Sequence, residues 1–316
     1  MYNRNIIRIF SCSKGGQNML TAIITIIFIG LMIYILTIFL ANKVVKPRTK
    51  DYDYTREYIF ENDSIDKSWV ENVEKEEFYI ESWRGNNIHC IFIDQDTDKT
   101  VVFGHGITWT LWGDMKYAKQ FYDRGYNIMM YDHPYHGKSS GKFVSLGFFE
   151  SYEMKDVVNW VRNRKGKEHK IGLHGESMGA ATVLQYGALD DYLEFIIADC
   201  PFSDLKELLE FRLKKDFKLP PFPILNLAEL YITTKYGFDF KEASPKNILD
   251  KIKAPILFIH GKKDDYIPCK MSEEMHNLKP NSKLFLMPNA PHAGSYNENP
   301  EQYRKVVSDF LDEIEK

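Results

Sequence analysis

Cysteine is scarce in this sequence, with four in 316 residues at Cys12, Cys90, Cys200 and Cys269. No CxxC pair occurs and none of the four joins a histidine at zinc spacing, which argues against a disulfide framework and a thiolate metal site and leaves the redox compartment open. Acidic residues are missing altogether from the first 50 positions, which carry seven basic residues. Residues 51–316 then hold 34 basic against 44 acidic side chains, a net charge of −10. A body of that sign argues against nucleic acid as a partner. Internal repeats and low-complexity tracts are lacking too. With 44% hydrophobic and 14% aromatic content, the chain can bury one large core or two modest ones.

Charge is absent from the 23 residues Met19 to Ala41, "MLTAIITIIFIGLMIYILTIFLA", a run longer than the ~20 needed to cross a hydrocarbon core. A signal peptide has a shorter apolar region, ~7–15 residues, and a small-x-small cleavage site that this segment lacks. The reading is a retained single-pass membrane anchor. Basic residues flank it on both sides (Arg4, Arg8 and Lys14 before; Lys43, Lys46, Arg48 and Lys50 after), so the positive-inside rule leaves the side of the body open. The "KGGQNM" before the anchor matches what a translated purine-rich ribosome-binding site encodes, and we expect the natural start at Met19, with 1–18 an untranslated extension. Loss of the three leading bases then tilts the charge rule toward a cytoplasmic body.

Residues 42–75 are polar and aromatic with weak periodicity, and are expected to form a juxtamembrane linker packed on the domain edge. From "EEFYIESW" and "NNIHCIFIDQ" onward the pattern is of strands, two of them expected as antiparallel edge strands. Six short apolar runs follow: "TVVFGHG", "YNIMMYDH", "HKIGLHG", "FIIADCP", "APILFIHG" and "KLFLMPN". Their length and β-branched bias suit strands covered on both faces of a parallel sheet. Amphipathic segments such as "ESYEMKDVVNWVRNRKG" lie between them, so the domain over 76–316 is expected to be a doubly wound, mostly parallel α/β sheet. Only 203–247 breaks the alternation. It offers two helices divided by Leu219-Pro220-Pro221-Phe222-Pro223, a candidate helical cap over the sheet.

Ligands of open α/β sheets bind beyond the carboxyl ends of the strands. The runs end in "GHGIT", "YDHPYHGKSSG", "HGESMG", "DCPF", "HGKKDDYIP" and, past the last, "NAPHAGSY". A serine, an acid and a histidine therefore stand in that order at three strand ends. A serine hydroxyl is a poor nucleophile near neutral pH unless a histidine takes its proton and a carboxylate fixes the histidine's tautomer. Gly175 and Gly179 flank Ser177 at two residues either side, where a sharp strand-to-helix turn brings backbone segments together. Met178, opening the next helix, offers one N–H to a developing oxyanion, and Ile107, next after His105-Gly106, offers the other.

These motifs resemble the α/β-hydrolase superfamily over about Glu76 to Lys316. The closer likeness is to bacterial serine hydrolases related to serine aminopeptidases and prolyl-oligopeptidase-like esterases. The resemblance implies a nucleophile at Ser177 of "GESMG", an oxyanion turn at His105-Gly106, an acid at Asp264 and a base at His292 of "NAPHAG". The family pattern HGxxDxxVP sets the acid four residues before the proline, which selects Asp264 over Asp265. "YDHPYHGKSSG" lacks the arginine of the usual D-x-R-G-x-G-x-S, a motif read here as structural support. Asp132 and Asp199 are read as loop hydrogen-bonding residues. His105, His133, His136, His174 and His260 take family places as turn or strand-end residues, so neither metal nor cofactor is expected. The implied activity is hydrolysis of an ester or thioester with an acyl or lipid-like group. A peptidase or amidase on the same machinery, or a silent anchored binding protein, are the alternatives, and Glu176 and the acids of the insertion bear on the first.

Overall fold

The computed structural model describes residues 14–62 and 65–316. Most of the expected extension, with Arg4, Arg8 and Cys12, lies outside them. Eight strands form one sheet: β1 (Glu76–Glu81), β2 (Asn87–Ile93), β3 (Lys99–Gly104), β4 (Asn127–Tyr131), β5 (Lys170–Glu176), β6 (Leu193–Asp199), β7 (Ile256–Gly261) and β8 (Lys283–Met287). Their order is β1-β2-β4-β3-β5-β6-β7-β8. The β1–β2 and β2–β4 pairings are antiparallel and all others parallel. This is the expected doubly wound sheet with its antiparallel hairpin at one edge.

The alternation of side chains along each strand builds two cores. Val102, Ile196 and Ala198 face one side of the sheet, while Val101, Phe103, Phe195 and Ile197 face the other. The helices in chain order are α1 (Lys14–Val45), α2 (Tyr52–Asn62), α3 (Lys67–Asn72), α4 (Met115–Tyr122), α5 (Phe148–Lys165), α6 (Met178–Gly187), α7 (Leu205–Phe217), α8 (Ile224–Tyr236), α9 (Lys270–Leu278), α10 (Ser295–Glu298) and α11 (Pro300–Ile314). Residues of α5, α6 and α9 fill the first core, and those of α4 and α11 the second. Helices α7 and α8 are the two helices expected in 203–247, and they bury Leu205, Leu208, Ala228 and Ile232 in a third cluster above the sheet.

Two differences from the sequence reading concern the N-terminal side. Residues 42–75, expected as a linker packed on the domain edge, hold more regular structure than their weak periodicity suggested. Helix α1 runs on to Val45, and Ile59 of α2 and Val70 of α3 are buried in the second core. Thr55 is also buried, its hydroxyl 2.6 Å from that of Thr110. Weak periodicity hid these helices because α2 buries only Thr55 and Ile59 among its 11 residues. The second difference is in α1, the apolar helix expected as the anchor, whose last turns are covered by the cap. Thr37, Leu40, Ala41 and Val45 are buried, and Asn42 meets Tyr236 Oη at 2.9 Å and Tyr231 Oη at 3.3 Å. The end of α1 is also tied to the body by a backbone hydrogen bond from Val144 N–H to Val45 O at 2.9 Å.

Helix α5 carries a carboxyl, Glu153, whose charged form its surroundings disfavour. Glu153 is buried, receives one hydrogen bond from Asn86 Nδ2 at 2.7 Å, and its second oxygen has no partner among the described residues. Burial, reinforced by the charge of Glu150, raises its pKa from 4.5 to about 8. A carboxyl with a raised folded pKa contributes stability fully below its unfolded pKa and loses it as pH rises through the folded one. Glu153→Gln is therefore expected to raise the melting temperature by roughly 2–6 °C at pH 9 and by much less at pH 5, as read by thermal unfolding at both pH values.

Candidate active site

Strand β5 delivers Ser177 to the carboxyl edge of the sheet, and α6 starts at the next residue. Ser177 sits at φ 56°, ψ −113°, a strained backbone conformation for a side-chain-bearing residue and the geometry that lifts the hydroxyl out of the strand. Its N–H donates to Asp199 O at 2.8 Å. Glycine at the flanking positions is required by space. A Cβ on Gly175 would stand 2.3 Å from Gly179 O, and one on Gly179 would stand 1.7 Å from Gly104 O. Gly179→Ala must push β3 and α6 apart, and is expected to destabilise the fold by about 3 kcal/mol or more, measured by denaturant unfolding.

Around this turn the expected residues converge. Ser177 Oγ lies 2.9 Å from His292 Nε2, and His292 Nδ1 lies 2.7 Å from Asp264 Oδ2. An Nδ1–H donated to that carboxylate leaves Nε2 free to accept a hydrogen bond from the serine hydroxyl. Asp264 itself is fixed on every side. Its Oδ1 accepts from Tyr266 N–H and Ile267 N–H, both at 2.8 Å, and Oδ2 also meets His260 Nε2 at 3.1 Å. Burial acts to raise its pKa, but hydrogen bonds from His260 and His292 and their charges outweigh that and hold it well below the usual carboxylate range. Asp265 points away, exposed and paired with Lys215 at 3.0 Å.

His105 supports the turn instead of touching the hydroxyl. Its Nδ1–H donates to Gly106 O at 2.8 Å and its Nε2 accepts from His133 N–H at 2.9 Å, and burial keeps the ring neutral. Gly106 passes so close to the elbow that a Cβ there would meet Ser177 Cβ at 3.6 Å. That approach brings Ile107 beside the elbow, and Ile107, Ser177 and Met178 line one cavity. Met178 opens α6, so its N–H has no partner within the helix.

The remaining acids and histidines have fixed places. Asp132 is buried and accepts from His89 Nδ1, Leu111 N–H and Lys138 N–H. His136 accepts from Thr108 N–H at 3.1 Å, and His174 meets Tyr303 Oη at 2.9 Å. Asp199 is held behind the elbow, where burial and the Glu176 charge raise its pKa to about 7. Cys200, Asp264 and His292 offer donor atoms within 4.8 Å of one another. Burial and the carboxylates nearby raise the Cys200 pKa, which keeps the thiol protonated and a poor metal ligand.

Two cavities meet the pair Ser177–His292. One, of about 250 Å³, has Ser177 on its wall and is bounded by the cap and the end of α1. The other, of about 460 Å³, has His292 and Glu176 on its wall and is closed by Tyr58 and Ile59 of α2. Sequence reading had not brought α2 to the site, nor Lys116. Lys116 Nζ lies 2.7 Å from Glu176 Oε2, which also accepts from Tyr117 Oη at 2.6 Å. The amphipathic "MKYAKQFYDRG" held that signal, since a lysine beside the buried face of a helix needs an acid within reach. Tyr266 was missed as well; its ring centroid lies 5.0 Å from that of His292.

Comparison with known proteins agrees with this architecture. Residues 95–228 match the family described as serine aminopeptidase, S33, a stretch that includes Ser177 and ends before Asp264 and His292. Uncharacterized protein YqkD of Bacillus subtilis is 37% identical over 293 residues, 92% of this chain and 94% of that protein. Among solved structures, the Pyrococcus furiosus esterase Pf2001 superposes with a TM-score of 0.63 at 26% identity, covering 76% of this chain and 91% of that one. An acylaminoacyl peptidase of Pyrococcus horikoshii shares the fold at TM-score 0.59 and 16% identity, over 78% of this chain and 42% of that one. Sheet order, strand-to-helix turn and relatives lead to one assignment: the chain belongs to the α/β-hydrolase superfamily.

Proposed function

We propose that the protein is a membrane-anchored serine hydrolase that cleaves acyl esters or thioesters through an acyl-enzyme. The observation that carries this reading is the relay from Ser177 Oγ through His292 to Asp264, at 2.9 and 2.7 Å. His292 Nε2 takes the serine proton as Oγ attacks the carbonyl carbon, and the N–H groups of Met178 and Ile107 receive the oxyanion. Collapse of the tetrahedral intermediate breaks the bond to the alcohol or thiol, which leaves with the proton from His292. A water then attacks the acyl-enzyme with His292 as base, the acyl–Oγ bond breaks, and the carboxylic acid departs. No cofactor enters these steps.

The two cavities suit the two halves of such a substrate. The apolar one on the Ser177 side fits the acyl group, and the one on the His292 side receives the leaving group where its proton is supplied. An aminopeptidase needs a carboxylate free to bind the substrate's ammonium. Glu176, the acid next to the nucleophile, is already neutralised by Lys116 at 2.7 Å, which favours an ester over a peptide. The anchor reading rests on α1, whose Asn18–Val45 portion is long and apolar enough to cross a membrane. A panel of p-nitrophenyl esters beside aminoacyl-nitroanilides tests the substrate class. Ester turnover at least ~100-fold above anilide turnover in kcat/KM is expected, a gap of ~2.7 kcal/mol in transition-state binding; the reverse ranking would assign a peptidase.

A further inference from the structure

The cavity at Ser177 is walled in part by the anchor helix. Leu40, Ala41 and Val44 of α1 line it together with Leu213, Leu225 and Ala228 of the cap. These two walls form one unit, since Leu40 packs in a cluster with Leu213, Ile224 and Leu225 and Asn42 joins the tyrosines of α8. Of the wall's charged side chains, Arg212 is balanced by Asp216 at 2.7 Å, and the exposed Lys43 lies with its Nζ 5.0 Å from the Phe39 ring centroid. An apolar channel thus leads from the hydroxyl to the flank of a helix of bilayer length.

The register of that helix sets the depth of the channel. The charge-free run Met19–Ala41 measures about 34 Å at 1.5 Å per residue, against a hydrocarbon core of about 30 Å. Its last turn, with Leu40 and Ala41, is the part covered by the cap. A helix that spans fully therefore holds the cap at the boundary between headgroups and acyl chains. The cap surface fits that position. Phe217, Phe222 and Leu230 are 46%, 76% and 65% exposed, and Lys214, Lys215 and Lys218 stand beside Phe217. Apolar side chains with lysines next to them are the composition of an interfacial surface.

We propose that the anchor completes the acyl pocket, and that the substrate is an acyl ester of a bilayer-resident amphiphile whose chain reaches Ser177 between α1 and the cap. This rests on the serine-hydrolase reading above and adds to it the source and route of the acyl chain. The chemistry is unchanged: the acyl group moves from its alcohol to Ser177 Oγ and then to water.

The test uses the full chain in phosphatidylcholine vesicles and a fluorophosphonate carrying a dodecyl chain with a terminal diazirine. Once the probe is bonded to Ser177, illumination is expected to cross-link its tail to residues 36–45 of α1, read by peptide mass spectrometry. Cross-links confined to the cap, or to the α2 side near His292, would overturn the proposal while leaving the hydrolase reading intact. Absence of any Ser177 adduct would instead remove the hydrolase reading itself. A second arm measures p-nitrophenyl dodecanoate against acetate. Ala41→Trp and the half-buried Val44→Phe should lower the dodecanoate-to-acetate ratio of kcat/KM at least ~10-fold, about 1.4 kcal/mol of lost chain binding. An unaltered ratio in a variant that still hydrolyses acetate counts against the anchor as a pocket wall.

Discussion

Ser177→Ala is expected to lower ester turnover by roughly 10³–10⁶-fold and to abolish covalent labelling, with the fold intact. The Ser177 hydroxyl lies 2.9 Å from His292 Nε2 and is the group that attacks in the proposed reaction; a methyl group can neither attack a carbonyl nor leave an acyl-enzyme. Alanine keeps the Cβ that packs against Gly106, so the elbow has no reason to move. His292→Ala is expected to cost nearly as much, because an unassisted serine is a weak nucleophile. The double variant should be little worse than either single one, since the two residues act as a unit. Any residual rate reports what the Met178 and Ile107 N–H groups and substrate binding supply alone. Steady-state kinetics on a p-nitrophenyl ester, with circular dichroism as the folding control, reads all three.

Asp264→Asn is the second large effect, at roughly 10⁴-fold in kcat. The hydrogen bonds around Asp264 dictate why. Its Oδ1 accepts two backbone N–H groups, from Tyr266 and Ile267. An asparagine keeps its carbonyl oxygen at that position and must then turn its NH₂ toward His292 Nδ1. A donor there forces Nδ1 to be the acceptor and moves the ring proton to Nε2. In that tautomer His292 can no longer take the proton of Ser177. The loss should fall on kcat with KM changed only a few-fold, whereas a merely unfolded variant would lose labelling altogether. Asp265→Asn, a change at an exposed ion pair with Lys215, is expected to leave kcat within about twofold, as exposed pairs of this kind contribute little. The stability linkage has the opposite sign to that of Glu153. Asp264 is depressed in the folded state, so its contribution is present above its ordinary pKa of 3.8 and is lost as pH falls below it.

The sheet was legible because its strands are covered on both faces. Runs such as "VVFG" and "FIIAD" are uniformly apolar, and burial on both sides leaves no other composition open to them. Ser177, Asp264 and His292 were legible for a related reason: each follows such a run, where topology places ligands. The choice of Asp264 over Asp265 came from the resemblance, and in the structure only Asp264 meets His292.

What stayed hidden is also physical. Helix α2 buries too few side chains to print a period, yet Tyr58 and Ile59 close the cavity beside His292. The docking of α1 on the cap left no trace in composition, because leucine and alanine serve equally well against lipid or against protein. Leu40 and Ala41 are therefore indistinguishable in the sequence from the exposed Ile26 and Ile27 of the same helix. Pairing of Lys116 with Glu176 joins residues 60 positions apart, and only the folded sheet brings them together.

The central claim is that Ser177 carries the acyl group. Intact-mass spectrometry of the full chain treated with a fluorophosphonate, followed by peptide mapping, tests it most directly. The account predicts one adduct, on the peptide that contains Ser177, formed in the wild type and absent from Ser177→Ala. Labelling that persists in Ser177→Ala, or a wild type that takes no adduct while remaining folded, would contradict it.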